Sequence, residues 1–300
     1  MNTKKGDRWN ESETHADRVT GRQVRRIATG GVWNEKPAYH TNTTFTTDGE
    51  FMIFASGRDD HSAVFAGHCE TGDVIQLTDW CKGMGAEQMD QKGEDFLFGP
   101  HGIAGVVLCI APKTGWVAYN EGSRVSVVNL HTLEERLLVD YGPEWICGVL
   151  SFSTDETYVL APLMPAHPDD LAGVPRQAEY MHRFPEGEGM STRYLKIPLT
   201  GGPATDLMID EGCGSAHCPH SPVDSDWVLT DRDLPPNYWG GGDDMKSPRC
   251  WSWQLSTNTL TALPPNAPKK FQVHAAWTWD GQHIVYHGMD APADSTNWDD

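Results

Sequence analysis

The chain has 300 residues, 38% of them hydrophobic, and a formal net charge of −19. This length can bury a sizeable core, and the charge argues against nucleic-acid binding, which needs a Lys/Arg surface. No apolar run approaches the ~18 residues of a membrane span, and the polar N-terminal extension 1–19 lacks the apolar core of a secretory signal. With seven scattered cysteines, these features predict a cytoplasmic protein that does not contact membranes.

A hairpin pattern recurs along the chain. The stretches FTTDGEFMIFAS, SFSTDETYVLAP, HSPVDSDWVLTD and WTWDGQHIVYHG each place a tight turn before an alternating apolar strand. We expect the turn aspartates to occupy equivalent positions; they are Asp48, Asp155, Asp224 and Asp280. Asp-Gly turns followed by residues of period 2 are typical of β-hairpins. A second strand–turn–strand pattern follows, as in CETGDVIQLTD and WSWQLSTNTLTALPP.

Two hairpins per unit predict a four-stranded antiparallel sheet, and units that recur every ~40 to 70 residues indicate a β-propeller. The predicted fold is therefore all-β, a single propeller domain over 1–300 with about four to five blades. The segment TGRQVRRIATG (20–30) resembles the outermost strand of a blade whose other strands are missing. Propellers use such a strand to close the ring and remove an open edge. We therefore expect an incomplete ring.

Several stretches, in chain order, resemble the oligogalacturonate lyases, seven-bladed cytoplasmic propellers of pectin breakdown. They are VTGRQVRRIATG, YHTNTTFTTDGEFMIF, NLHTLEERLLVDYGPEWICG, RYLKIPLTGGPAT, AHCPHSPVDSDWVL and VHAAWTWDGQHIVY. The resemblance spans nearly the whole chain and implies a C-terminally truncated member of the family. It also implies an acidic oligosaccharide substrate that is cleaved by β-elimination.

The resemblance assigns roles to three residues. His217 matches the catalytic histidine, Arg193 matches the arginine that faces the substrate, and His274 matches one of the metal-ligand histidines. The resemblance implies a divalent metal ion, Mn²⁺. The family's other ligands, a glutamine and two closely spaced histidines, have no counterpart in this chain, so we expect it to bind the metal poorly.

Four further residues are candidates for substrate contact. His40 and Asn42 lie at the start of the first unit, and His182 lies in a long loop. His220 stands where the family carries an aromatic residue, so it is a candidate for the wall of the substrate site.

Three other interpretations stay open at the level of sequence. Cys213, His217, Cys218 and His220 form a candidate zinc site, although their spacing matches no common structural zinc pattern. A non-catalytic propeller that binds a protein or peptide partner would need no convergence of Arg193, His217 and His274. A hydrolase would need two paired carboxylates, and no such pair stands out. The oligomeric state is not predicted.

Overall fold

The computed structural model describes residues 3–30, 33–34, 38–58, 61–82, 108–166, 191–232, 249–263 and 270–290. The regular structure in these ranges consists of β-strands alone, grouped in antiparallel sheets. The prediction of an all-β protein is confirmed. Across the same ranges, no helix has the length and apolar character needed to cross a bilayer.

The first sheet has six strands, in the order β1-β7-β6-β5-β4, with β8 also beside β6. Their bounds are β1 Arg8–Asn10, β4 Trp33–Asn34, β5 Phe51–Arg58, β6 His61–His68, β7 Asp73–Gln76 and β8 Cys81–Lys82. A separate two-stranded hairpin joins β2 (Glu13–Ala16) to β3 (Gln23–Arg26).

The next two sheets repeat a meander of neighbouring strands. The second runs in the order β12-β11-β10-β9, from β9 Cys109–Ile110, β10 Trp116–Glu121, β11 Arg124–Asn129 and β12 Glu135–Asp140. The third is built around β15 Tyr158–Pro165, β16 Ser191–Pro198 and β17 Thr205–Glu211, and two short strands, β13 Trp145–Cys147 and β14 Ser151–Phe152, both pair with β15.

The fourth sheet contains β18 (Trp227–Asp231), β19 (Cys250–Gln254) and β20 (Thr259–Ala262). A further segment lies along its inner side, because His220 forms an antiparallel bridge with Val228. The hairpin β21 (Lys270–Trp277) and β22 (Ile284–Asp290) forms the last described sheet. Apart from the β2–β3 hairpin, the described ranges hold four sheets and the hairpin β21–β22, which agree with the predicted four to five blades.

Buried side chains fill the space between each pair of consecutive sheets. The shared clusters join Ile53 to Leu130, Val127 to Leu163, Leu160 to Trp253, and Leu229 to Ala275. Because each sheet contributes apolar side chains to both of its faces, its strands read as nearly continuous apolar runs; the burial of β6 shows this pattern. This face-to-face packing of antiparallel sheets is that of a propeller.

The N-terminal region differs from its prediction. Residues 23–26, predicted as the outermost strand of a blade, instead pair with β2 in an exposed two-stranded hairpin. Residues 8–10, which the sequence placed in a polar extension, add a strand to the outer edge of β7. Trp9 explains this pairing, because its ring packs against Phe65 with 6.0 Å between centroids. Burial of this side chain against the cluster that contains Phe54 and Phe65, together with pairing to β7, places this polar segment in the sheet.

Three of the four turn aspartates share one hydrogen-bond arrangement. A hydroxyl two residues earlier donates to the aspartate Oδ1, in the pairs Thr46–Asp48, Ser153–Asp155 and Thr278–Asp280. The turn at Asp224 stands at the same place, since paired residues flank every turn: Phe45 with Met52, Phe152 with Val159, His220 with Val228 and Trp277 with Ile284. The predicted equivalence of the four turns is therefore confirmed. The turn from Ser221 to Trp227 is one residue longer than the others. Asp224 accepts from the backbone N–H two residues later, as the other aspartates do, but Pro222 stands where they have the hydroxyl donor.

Glu156 joins the turns of the second and third sheets. It is buried and has φ 57°, at the place where the other turns carry Gly49 and Gly281. Its carboxylate accepts from the backbone N–H of Lys113 at 2.8 Å, and from the backbone N–H and hydroxyl of Thr114 at 3.0 and 2.7 Å. These contacts compensate for a backbone conformation that favours glycine.

We expect Glu156→Gly to lower the free energy of unfolding by about 1–3 kcal/mol or more in urea titrations. Each of the three hydrogen bonds to the charged carboxylate contributes about 1.5–3 kcal/mol, and relief of the positive φ returns about 1–3 kcal/mol of that loss. Glu156→Gln, which keeps one acceptor oxygen, should fall between the two proteins. A glycine variant as stable as the wild type would show that the backbone conformation outweighs the hydrogen bonds.

Candidate functional site

Three histidines from distant parts of the chain meet with a tyrosine. The ring centroid of His40 lies 4.6 Å from that of His274 and 6.4 Å from that of His217. The Tyr39 ring stacks on His217 at 4.7 Å with an interplanar angle of 19°. We call these four residues the histidine cluster. Each precedes or belongs to the innermost part of its sheet, where the loops of a propeller converge.

A buried ion pair between Asp231 and Arg249 holds His217 at its Nδ1 atom. Its Nδ1 contacts Oδ2 of Asp231, and Nη2 of Arg249 lies 3.1 Å from the same oxygen. The side chains of Asp231 and Arg249 are only 5% and 4% exposed. Burial acts to raise the pKa of Asp231, but Arg249 and His217 outweigh it and lower the pKa to about 2. The carboxylate is therefore charged at neutral pH.

The other ring nitrogen of His217 has no hydrogen-bond partner within the described part of the chain. Nε2 is buried there, and no donor or acceptor reaches it. Buried polar atoms are usually satisfied, so an exception calls for an explanation such as a catalytic role or a ligand. Nε2 of His217 is an atom at which a proton or a ligand can be accepted.

The backbone before His217 is fixed by the third sheet. The backbone N–H of Ser215 donates to Oγ1 of Thr192 at 2.8 Å, and the backbone N–H of Val149 donates to the carbonyl of Ala216 at 2.7 Å. The chain passes so closely that a Cβ on Gly148 would lie 2.5 Å from the Ala216 carbonyl oxygen. A backbone segment held against the third sheet thus carries the imidazole.

His274 lies at an irregular point of its strand. It has φ 59°, and the register of β21 against β22 shifts between Val273 and Ala276. Bulges that redirect a side chain are frequent beside active sites. A non-glycine residue at positive φ costs of order 1–3 kcal/mol and persists where the surroundings require it. The bulge gives His274 its place in the histidine cluster.

Two candidates for substrate contact have hydrogen bonds inside the fold. Nδ2 of Asn42 donates to the carbonyl of Leu150 at 2.8 Å and ties the first sheet to the third. Nδ1 of His220 lies 3.0 Å from the Ser151 hydroxyl, and its Nε2 lies 3.0 Å from the Tyr158 hydroxyl. Burial lowers the pKa of His220 to about 3, so the ring is neutral. This geometry favours a structural role for His220 over contact with a substrate.

Arg193 stands apart from the histidine cluster. It lies on β16, where its Nε donates to Oδ1 of Asp206, and its guanidinium lies 5.6 Å from the ring centroid of Trp145. Among the described contacts, none joins Arg193 to His217. His182, the remaining candidate, lies outside the described residues.

The structure does not support the zinc interpretation. The Cys218 thiol is buried in the core between the third and fourth sheets and donates to the carbonyls of Val149 and Leu160. Burial raises the pKa of Cys213 to about 11, which disfavours the thiolate that zinc requires. Within the described ranges, no three His, Cys, Asp or Glu side chains are arranged to hold a metal.

Sequence reasoning missed three residues of the site. Tyr39 directly precedes His40 and gave a weak signal, as an aromatic residue at the start of a unit. Asp231 ends a stretch that was recognised as a strand, without any indication that it would reach His217. Arg249 gave no signal at all. Only the pairing of β18 with β19 brings Asp231 beside Cys250, the neighbour of Arg249.

The fold and the site define an all-β propeller with a histidine cluster at the inner ends of its sheets, and similar solved structures agree with this class. An oligogalacturonate lyase in complex with manganese matches with a TM-score of 0.71 and 19% identity, over 95% of this chain and 68% of that chain. An oligogalacturonate lyase from Vibrio parahaemolyticus gives the same values. TolB from Acinetobacter baumannii matches at a TM-score of 0.49 and 12% identity, over 92% of this chain and 59% of that chain.

No protein-family model and no curated protein matches the chain. At 19% identity, the likeness to the two lyases shows a shared fold. The predicted propeller is thereby confirmed, and so is the resemblance to the lyases at the level of the fold. Fold alone does not establish an activity, which has to be argued from the site.

Proposed function

We propose that the protein is a lyase that cleaves oligogalacturonides or related uronate oligosaccharides by β-elimination, with His217 as the base. The observation that carries the proposal is the Nε2 atom of His217, buried and without a hydrogen-bond partner in the described structure. It lies in a histidine cluster on a fold shared with oligogalacturonate lyases. A cytoplasmic location is part of the proposal, because all seven cysteines are free thiols.

The chemistry explains why a histidine suits this position. The reaction removes the proton at C5 of a uronate, the C4–C5 double bond forms, and the glycosidic oxygen leaves C4 with the bonding pair and takes up one proton to become a hydroxyl. No water is consumed. A base that works near neutral pH must lie within hydrogen-bond reach of the C5 proton. Nε2 of His217 can accept that proton, and the buried Asp231 stabilises the resulting imidazolium.

The substrate carboxylate needs a positive partner, because charge builds up beside it as the C5 proton leaves. We propose Arg193 for this role, since a guanidinium can hold a carboxylate through two hydrogen bonds. To do so, the side chain would have to exchange Asp206 for the substrate. His40 adds a polar group in ring contact with His274.

A divalent metal, Mn²⁺ by similarity to the manganese complex, is part of the proposal. When bound, it would neutralise the substrate carboxylate and thereby acidify C5. His274, and His40 beside it, are the imidazoles that could contribute ligands. No third donor converges on them within the described ranges, so the described residues do not complete a metal site, and no step is derived through it.

We therefore expect Mn²⁺ to bind weakly, and His274→Ala to weaken the binding by about tenfold or more, since even outer-shell changes cost 10- to 100-fold in affinity. Calorimetric titration of the purified chain with Mn²⁺, reversed by a chelator, measures this effect. His283→Ala is the matched control, because His283 lies on the same hairpin next to the turn at Asp280. Equal affinities of wild type and His274→Ala would contradict the assignment.

The activity itself is tested by incubating the protein with short oligogalacturonides and Mn²⁺ and following ultraviolet absorbance. β-Elimination leaves an unsaturated uronate, which absorbs, whereas hydrolysis produces reducing ends without new absorbance. A rise in absorbance supports the lyase. Reducing ends alone would indicate a hydrolase. A second candidate function is a non-catalytic propeller that binds a protein or peptide partner. The ion pair of Arg193 with Asp206 favours it, because the guanidinium is already engaged. This candidate predicts neither product.

A further inference from the structure

We infer that Asp231 and Arg249 are positioning residues, which hold His217 with its Nδ1 protonated and its Nε2 ready to accept a proton. This inference deepens the proposed function and rests on it. Asp231 contacts the imidazole, Arg249 contacts Asp231, and neither is placed in contact with the substrate.

The geometry places one carboxylate oxygen between two donors. Oδ2 of Asp231 contacts Nδ1 of His217 and lies 3.1 Å from Nη2 of Arg249. Asp231 is the last residue of β18 and pairs with Cys250, the first residue of β19. Arg249 directly precedes Cys250 in the chain. Both side chains therefore emerge from one end of the fourth sheet. A buried carboxylate is costly unless it is paired, and Arg249 provides the compensating charge.

The contact with Asp231 selects one tautomer of His217. A neutral imidazole has one N–H donor and one acceptor nitrogen, and the hydrogen bond at one nitrogen determines which is which. An ionised carboxylate can only accept. Nδ1 must therefore carry the proton, and the lone pair lies on Nε2, the atom without a partner in the described structure. The opposite tautomer would leave the base unable to act.

A second buried pair provides a comparison. Asp210 is 8% exposed and accepts two hydrogen bonds from Arg232, at 2.7 and 2.8 Å, one to each carboxylate oxygen. Among the described contacts, no histidine takes part in that pair. Asp231 is arranged differently, because the oxygen that accepts from Arg249 also meets His217. The shared oxygen is what connects this pair to the site.

Several described groups face this unit. Arg249 and His217 bear directly on the charge of Asp231, and His274 also favours its ionised form. Tyr39 stacks on the outer face of the His217 ring, and His40 lies 6.4 Å away. The ring is thus restrained on its face by Tyr39 and at Nδ1 by Asp231, which leaves one nitrogen for chemistry.

Two substitutions separate the charge of Asp231 from its acceptor role. In Asp231→Asn, the amide oxygen can take the place of Oδ2 and still accept from both donors, but the negative charge is lost. We expect kcat to fall about 10- to 100-fold, the range of outer-shell changes, with little change in KM, and the tautomer to be retained. In Asp231→Ala the acceptor is lost as well, and we expect mixed tautomers.

Nitrogen-15 NMR of histidine-labelled full-length protein reads the tautomer directly, and steady-state kinetics on oligogalacturonides gives kcat and KM. Asp210→Asn is the matched control, which should keep both the tautomer of His217 and kcat. If Asp231→Ala does not fold, Asp231→Asn still carries the test through kcat. The inference is overturned if wild-type His217 is protonated at Nε2, or if Asp231→Asn and Asp210→Asn have equal kcat.

The two proposals fail in different ways. If the wild type forms no unsaturated product but His217 is protonated at Nδ1, the lyase assignment fails, while the positioning of the ring by Asp231 stands. If the wild type is active and Asp231→Asn leaves kcat unchanged, the lyase stands and the positioning role is refuted.

Discussion

Replacing His217 with alanine is expected to lower kcat for uronate cleavage by about 10²- to 10⁴-fold, the usual contribution of a general base. The substitution removes Nε2, the one histidine ring nitrogen of the described residues that is buried without a hydrogen-bond partner. Asp231 keeps Arg249 at 3.1 Å, so its buried charge stays compensated. The fold should therefore survive, and the loss should appear in kcat more than in KM.

Initial rates of absorbance increase measure the effect, and urea titration with circular dichroism checks the fold. His131→Ala is a suitable control, since His131 is exposed and lies on the turn after β11. An alanine variant at 217 with nearly wild-type kcat would place the base elsewhere and would remove the main support for the proposed function.

The free energy of unfolding is expected to fall by about 1.4 kcal/mol for each pH unit below 6.5, until the pH approaches 3, because of His220 alone. Burial lowers the pKa of His220 from 6.5 to about 3. Between these values, the unfolded chain binds a proton at this ring and the folded chain does not. The stabilisation by the neutral His220 ring is therefore fully present above pH 6.5 and is lost as the pH falls.

The measurement is a series of urea titrations between pH 7 and pH 4.5. His220→Gln should be less stable at pH 7, because a glutamine cannot easily bridge Ser151 and Tyr158, but its stability should depend less steeply on pH. His283→Gln, at an exposed position, should keep the wild-type slope. If His220→Gln shows the full wild-type slope, other groups carry the acid sensitivity.

Short-range patterns were enough to predict the class of fold. The turn at Asp48 depends on Thr46 and Glu50, and the turn at Asp280 on Thr278 and Gln282, all within two residues of the aspartate. Such contacts form wherever the local sequence permits them. The alternation that follows each turn then fixes which residues are buried. The turn at Asp224 is also predicted; its extra residue changes its hydrogen bonds but not its place in the sheet.

The site was only partly predictable. His217 and His274 were singled out through a resemblance, and the structure does bring them to one place through Tyr39 and His40. Their roles stay predictions. Arg193 was expected beside them, but its partner across the sheet is Asp206. This pair could not be predicted from the sequence, because it depends on the register of β16 against β17.

The sequence by itself therefore determined the hairpins, the repeated sheets and two histidines of the site, since these follow from neighbouring residues and from a family resemblance. Only the tertiary structure decided that Asp231 and Arg249 support His217, that His220 is enclosed between Ser151 and Tyr158, and that residues 8–10 extend the first sheet. The physical reason is common to all three. Each depends on pairing between strands or sheets that are far apart in the chain, and such pairing is set by packing across the whole molecule.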